Sequence, residues 1–444
     1  MVAAYLLPGP SMNGVRTDTP AAHRCPVGAR ADSLPVHSVT RSTVWLRSPV
    51  MPFALYLLGL AVFAMGTSEF MLSGLGPDIA HDLGVSIPAA GSLTSAFAVG
   101  MVIGAPLMAM LALRWSRRHA LLVFLLTFLA VHVVGAVTTS YGVLLVTRIV
   151  GALANAGFLA VALVTATGMV EPNAKGRATS ALLGGVTIAC VAGVPGGALL
   201  GQLWGWRAAF WAVAVISVPA VVAILRAVPS GGAGPSGTSA RQELRALREP
   251  RLLVTLLLGA LVNGATFCTF TYLAPLLTEV AGLGSGWVPA LLALFGLGSF
   301  AGVTISGRLA DVRPVPLLVA GGVALLAGWA VFALTAGNPV AAGAFVFVQG
   351  TLSFAVGATL ISRVLYAAAG APTLAGGLAT AAFNVGGAIG PWAGGVAIGA
   401  GLGFRAPLWV SALLVALALA TAGVARGVRR GTADEDEGVP TATR

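Results

Sequence analysis

Apolar stretches of about twenty residues recur along this chain with almost no charge inside them, and no other feature constrains its fold as much. A helix needs roughly 20 apolar residues to cross the hydrocarbon core of a bilayer. Runs such as Pro52 to Leu75, Ala89 to Leu113, His119 to Val137 and Gly142 to Met169 have that length, and eight more follow before Val424. Only 9% of the 444 residues are charged, 57% are hydrophobic, and the mean hydropathy is +0.93. A soluble chain carries roughly 25% charge. The sequence therefore predicts an all-α membrane protein with twelve transmembrane helices, and it excludes both a soluble enzyme domain and a single-anchor protein.

A net charge of +11 and an isoelectric point near 10.9 would suggest a nucleic-acid partner in a soluble chain, but here the cations sort by side of the membrane. If the first span starts inside, 17 of the 20 Lys and Arg residues after position 50 fall in inner loops or the C-terminal tail. Arg207 and Arg405 fall outside, and Arg148 lies within a span. The positive-inside rule then places both termini of a multi-pass cell-membrane protein in the cytoplasm, with no nucleic-acid partner. Trp204, Trp206, Trp211 and Trp287, near outer helix ends, suit an aromatic belt. Of three cysteines, Cys190 and Cys268 sit in spans and Cys25 in the N-terminal extension, so no disulfide framework is expected.

Residues 1–50 are polar, Pro-rich and without the apolar core of a secretory signal, and read as a disordered extension or a misassigned start ahead of Met51. Residues 51–226 form a first set of six spans and residues 251–425 a second, with a cytoplasmic tail at 426–444. Between the sets, 227–250 is a cytoplasmic linker: Pro229 to Ser239 is Gly/Ser-rich, and Ala240 to Arg251 reads either as a short interfacial helix or as a solvated basic loop. An internal repeat supports the division. Leu75-Gly76-Pro77 matches Leu273-Ala274-Pro275, and Gly205-Trp206-Arg207 matches Gly403-Phe404-Arg405, both at a spacing of 198 residues. Two parallel six-helix repeats allow a substrate site at their interface to be exposed alternately.

Motif chemistry argues against an enzyme. The only lysine, Lys175, follows Ala174, so no Walker A loop can form, and no zinc or other metal motif occurs. An ion gradient is left as the energy source. Charge within a span costs roughly 2.5–3.5 kcal/mol on insertion scales and marks function by default. Glu69 in span one and Arg148 in span four are such charges, each six residues from an expected outer helix end, or about 9 Å deep at 1.5 Å per residue. The repeat spacing of 198 carries them to Phe267 and Val346, so neither charge recurs. Glu69 is expected to take up and release a proton, with Arg148 favouring the ionised carboxylate and orienting carboxylate or substrate; a purely structural ion pair or a snorkelling arginine is the alternative. Asn155, Phe158, Asn263, Phe267, Phe270, Gln349 and Asn384 are the candidate substrate-binding residues, weighed against ordinary interhelical hydrogen bonding and packing.

These residues resemble the twelve-span drug:proton antiporters of the major facilitator superfamily, over about Met51 to Val424. Gly193, Pro195, Gly196 and Gly197 in span five look like the exporters' antiporter motif, echoed by Gly390 to Gly395 in span eleven. Gly307, Arg308 and Asp311 are similar to the superfamily's signature between spans, implied to latch a cytoplasmic gate with Arg117 and Arg118; the matching first-half loop departs from it, with Leu113 in place of the acidic residue. Arg148 matches the family's span-four arginine, implied in proton coupling, although Ala152 stands where glycine is usual. Gly66 to Ala80 and Ala152 to Leu163 resemble actinobacterial chloramphenicol-resistance exporters. The resemblance implies proton-coupled efflux of chloramphenicol or a related small amphipathic drug by alternating access. The partners would be the drug and the lipid bilayer, with no cofactor beyond the proton gradient and a monomeric state. Export of sugars or nucleosides is the alternative, and a passive channel or membrane-embedded enzyme a remote one.

Overall fold

The computed structural model describes residues 53–112, 115–170, 175–228, 250–310, 312–367 and 372–437. The 1–50 extension, linker residues 229–249, Leu113, Asp311 and the tail beyond residue 437 lie outside the described residues.

Among the described residues all regular structure is helical, and twelve helices are long and apolar enough to cross a membrane. Spans one to six are Phe53–Phe70, Ile87–Ala105, Arg117–Val137, Tyr141–Gly168, Gly184–Trp204 and Trp206–Arg226. Spans seven to twelve are Pro250–Thr271, Ser285–Leu309, Pro314–Thr335, Pro339–Val364, Leu378–Leu402 and Ala406–Arg426. Leu126, Val134 and Val137 of span three are exposed while Leu121, Leu125 and Phe128 are buried, so one apolar helix faces both lipid and core. Lipid offers no hydrophobic drive for helices to associate, so close backbone approach must hold them. Gly100 and Gly104 of span two provide it: added Cβ atoms would strike Ile149 and Ala152, and Leu153 and Ala156, of span four. At the spacing of 198 residues, Gly298 and Gly302 of span eight would strike the Phe347 and Thr351 backbone of span ten. The repeat is therefore built into the packing.

Two sequence expectations need correction. Span one does not end at Leu75. Its helix breaks at Met71 and resumes over Leu72–Asp82, carrying the helical rod past the polar Asp78 and His81. Glu69 thus lies in the last turn before a break rather than one and a half turns below a helix end. Trp206 is not part of an aromatic belt. It is 3% exposed and its indole Nε1 donates to Asp82 Oδ2 at 3.1 Å, because a buried indole N–H needs an acceptor. Trp204, Trp211 and Trp287 are exposed as expected.

The halves lock together at the end that carries Asp82. Tyr272, after span seven, donates from its hydroxyl to Pro391 O at 2.9 Å. Its ring fills space left by Gly91 of span two in the first half and by Gly394 and Gly395 of span eleven, positions where a Cβ would strike it. At the same end Gln202 donates to Ser285 O across the boundary.

Candidate functional site

Breaking the helix at Met71 leaves the final carbonyls of the Phe53–Phe70 segment short of ladder partners, with the partial negative charge of a helix C-terminus. Met71 N–H still reaches Thr67 O at 2.8 Å. The next two carbonyls turn to Arg148. Its Nη2 donates to Ser68 O at 2.9 Å and, at 3.5 Å, to Glu69 O, while Nη1 donates to the Ser68 hydroxyl at 2.9 Å. A cation placed there stabilises a helix end by up to about 2 kcal/mol in a partly buried geometry. The guanidinium also lies over the Phe97 ring, 4.4 Å from its centroid, and Arg148 is 2% exposed. Arg148 and Glu69 are therefore joined through the backbone, and the guanidinium forms no ion pair with the Glu69 carboxylate.

The carboxylate instead borders a cavity between the halves. From the first half come Glu69, Phe70, Thr94, Phe97, Ala98 and Cys190; from the second come Asn263, Phe267, Phe354, Asn384 and Gly387. Phe97 has two jobs, since the ring that covers Arg148 also lines the cavity. The two amides are held by backbone: Asn263 Nδ2 donates to Phe383 O at 2.6 Å and Asn384 Nδ2 to Thr380 O at 2.9 Å. A wall with four phenylalanines, one carboxylate and two oriented amides suits an uncharged amphipathic molecule that can donate hydrogen bonds.

Of the seven candidate binding residues, the structure brings Asn263, Phe267 and Asn384 to this cavity. Phe270 and Gln349 line a separate, smaller cleft inside the second half, where Gln349 Nε2 donates to Leu325 O. Asn155 and Phe158 are buried in the first half away from the cavity wall. Thr94, Phe97 and Cys190 line the cavity without any sequence signal that marks them, and His132 accepts from Ser68 behind Arg148. The only signal for His132 was an ionisable ring in an otherwise apolar run.

In span five, a π-helical turn over Ala189–Gly193 precedes Pro195, whose missing N–H would have served the carbonyl of Val191. Gly193 abuts Thr67 and Phe63 of span one, Gly197 faces Met71, and nothing lies within 4 Å of a Cβ added to Gly196. At the opposite end of the bundle from Asp82, Arg308 is exposed and Arg117 lies beside Gly168. Neither Arg308, Arg117 nor Arg118 makes an ion pair among the described residues, and no group of three or more His, Cys, Asp or Glu there could hold a metal.

The Major Facilitator Superfamily model matches residues 58–376. The chain is 59% identical over 375 residues to a chloramphenicol resistance protein of Streptomyces lividans, covering 84% of this chain and 96% of that one. It is 35% identical over 367 residues to the inner membrane transport protein YdhP of Escherichia coli K12, covering 83% and 94% respectively. In fold it is similar to the inward-facing, unoccupied crystal structure of a bacterial homologue of the human lysosomal transporter Spinster. That match has a TM-score of 0.65 and 19% identity, over 84% of this chain and 96% of the other.

Proposed function

The chain belongs to the Major Facilitator Superfamily, and from that footing we propose that it expels chloramphenicol or a related amphipathic antibiotic in exchange for protons. The observation that carries this reading is the placement of Glu69, the one carboxylate on a cavity between two repeated halves whose other lining includes four phenylalanines and two amides. The name of the Streptomyces lividans relative supports the choice of drug. An ionised carboxylate on such a wall costs several kcal/mol more than a protonated one. Uptake of a proton by Glu69 therefore favours closing the cavity, and its release favours exposure to water. Drug and proton in turn bias the rocking of the halves, and the proton gradient is the only energy source required.

The distribution of Arg and Lys supports cytoplasmic termini. In that orientation Arg117, Arg118 and Arg308 are assigned to a cytoplasmic gate, with Asp311 added from its place in the sequence motif alone, and the protein works as a monomer.

Accumulation of labelled chloramphenicol in a pump-deficient bacterial host tests the proposal. Expression should lower accumulation several-fold, and both a protonophore and Glu69→Gln, at equal membrane levels, should restore it. Wild-type, pH-dependent export by Glu69→Gln removes Glu69 from the mechanism. Resistance to a nucleoside analogue without any response to an amphenicol replaces the substrate.

A further inference from the structure

Behind Arg148 lies a hydrogen-bonded chain that the export cycle as described does not use. His132 of span three is buried, its Nδ1 lies 2.7 Å from Phe128 O, and its Nε2 lies 2.6 Å from Ser68 Oγ. The chemistry of the partners fixes the direction of every bond. A carbonyl oxygen can only accept, so Nδ1 carries the hydrogen. In the neutral ring Nε2 then has a lone pair and accepts from the Ser68 hydroxyl. With its hydrogen turned to His132, Ser68 Oγ presents a lone pair to Arg148 Nη1, which donates to it at 2.9 Å.

The surroundings hold that arrangement. The His132 ring lies 4.1 Å from the Phe128 centroid and 5.8 Å from that of Phe210 in span six, with Gly151 of span four beneath it. Phe210 and Gly151 bring no ionisable group. The groups that face the ring with charge or polarity are Phe128 O on its own helix, Ser68 of span one and Arg148 of span four. The second half has no such chain: the repeat counterparts of Ser68, His132 and Arg148 are Thr266, Ala330 and Val346, and the Thr266 hydroxyl turns back to Val262 O at 2.9 Å. A device present only in the half that carries Glu69 belongs to what Glu69 does.

We propose that His132 is a positioning residue for proton coupling: by taking the Ser68 hydroxyl hydrogen it keeps Arg148 on the span-one carbonyls and off the Glu69 carboxylate. Glu69 is thereby left to the cavity, where proton and drug can reach it. Without the anchor, the guanidinium is freer to swing to the nearest carboxylate and hold it ionised.

The inference rests on the proposed role of Glu69, and two readouts separate their failures. The first is the pH profile of chloramphenicol export. The second needs no transport: the infrared carboxyl band of protonated Glu69, assigned by its loss in Glu69→Gln, followed against pH in lipid nanodiscs. His132→Leu and Ser68→Ala should each move both midpoints to lower pH by about one unit or more, as expected when a cation closes on a carboxylate. His132→Gln, which offers an acceptor to Ser68 but does not titrate, should bring them back toward wild type. If His132→Leu does not insert, Ser68→Ala against His132→Gln decides. Midpoints that stay at the wild-type value in His132→Leu or Ser68→Ala, that move to higher pH, or that move as far in His132→Gln overturn the proposal. A wild type that exports no amphenicol overturns the substrate reading instead, and the band titration still judges His132.

Discussion

Phe70 and Phe267 stack across the boundary between the halves, with ring centroids 5.4 Å apart and planes inclined by 28°. Phe267 is the repeat counterpart of Glu69, so where the first half supplies a carboxylate the second supplies a ring, laid on that carboxylate's neighbour. The stack continues edge-on to Phe270 at 5.9 Å and face-on from there to Phe295 at 4.5 Å.

Truncating that ring should weaken drug binding, since Phe267 also lines the cavity. An aromatic pair contributes about 0.5–1.5 kcal/mol beyond its buried area. Phe267→Ala should therefore raise the KM for exported drug by about 2- to 10-fold, with Phe267→Leu intermediate, as measured by drug uptake into inside-out vesicles driven by a pH jump.

Position relative to the cavity should separate the polar candidates. Asn263→Ala removes an oriented amide from the cavity wall and should raise KM by about 5- to 100-fold, the equivalent of about 1–3 kcal/mol for a lost buried hydrogen bond. Gln349→Met acts in the second-half cleft and should leave KM near wild type. Equal effects of the two would mean that drug occupies the cleft.

Asp82 ties the end of the first helical rod to span six by accepting from Arg207 Nη1 and Trp206 Nε1. The Arg207 bond, followed by that from Trp206, holds its carboxyl below the usual aspartate range. A depressed value in the folded state gives stability that is present above the unfolded value of about 3.9 and is lost as pH falls through the folded one. The pair is solvent-exposed, so the contribution is at most about 1 kcal/mol. Asp82→Asn should lower the melting temperature slightly near neutral pH, and the difference should shrink as pH falls below about 3.9 and through the depressed folded value.

Gly91 should be intolerant of a side chain. Its Cβ would meet the Tyr272 ring, which Pro391 O holds in place. Gly91→Val should therefore part the halves at that end, at a cost of about 1–3 kcal/mol typical of overpacking. Tyr272→Phe, which loses one hydrogen bond, should cost about 1 kcal/mol. Labelling of Cys190 by a membrane-impermeant maleimide, added to right-side-out and to inside-out vesicles, should rise on one side only in Gly91→Val and stay low in Tyr272→Phe.

Much of this was legible in the residues. Span lengths, the two halves and the singular Glu69 and Arg148 follow from the cost of burying charge in hydrocarbon, which any sequence registers. Side-chain reach is not written in that way. Asn263 and Gln349 look alike as lone amides in apolar helices, and only the rotation of their helices puts one on the cavity and the other in a cleft. Glu69 and Arg148 were expected as a charge pair, yet the break at Met71 offers the guanidinium carbonyls instead, and a helix break among Gly74, Gly76 and Pro77 is hard to place to the residue. His132 escaped notice because it counts as neutral in a tally of charge, although a ring nitrogen inside a span demands partners as surely as a carboxylate does.

The twin glycine contacts, Gly100 and Gly104 on span four and Gly298 and Gly302 on span ten, also bear on what the halves share. They mark the chain as one packing unit used twice. Each half must pack, so the contacts occur in both. In the proposed cycle only the first half exchanges a proton, and the second, with Phe267 in the place of Glu69, has no matching carboxylate. The two halves thus share the packing and the aromatic lining, each giving two phenylalanines to the cavity, and differ in the carboxylate that one of them adds.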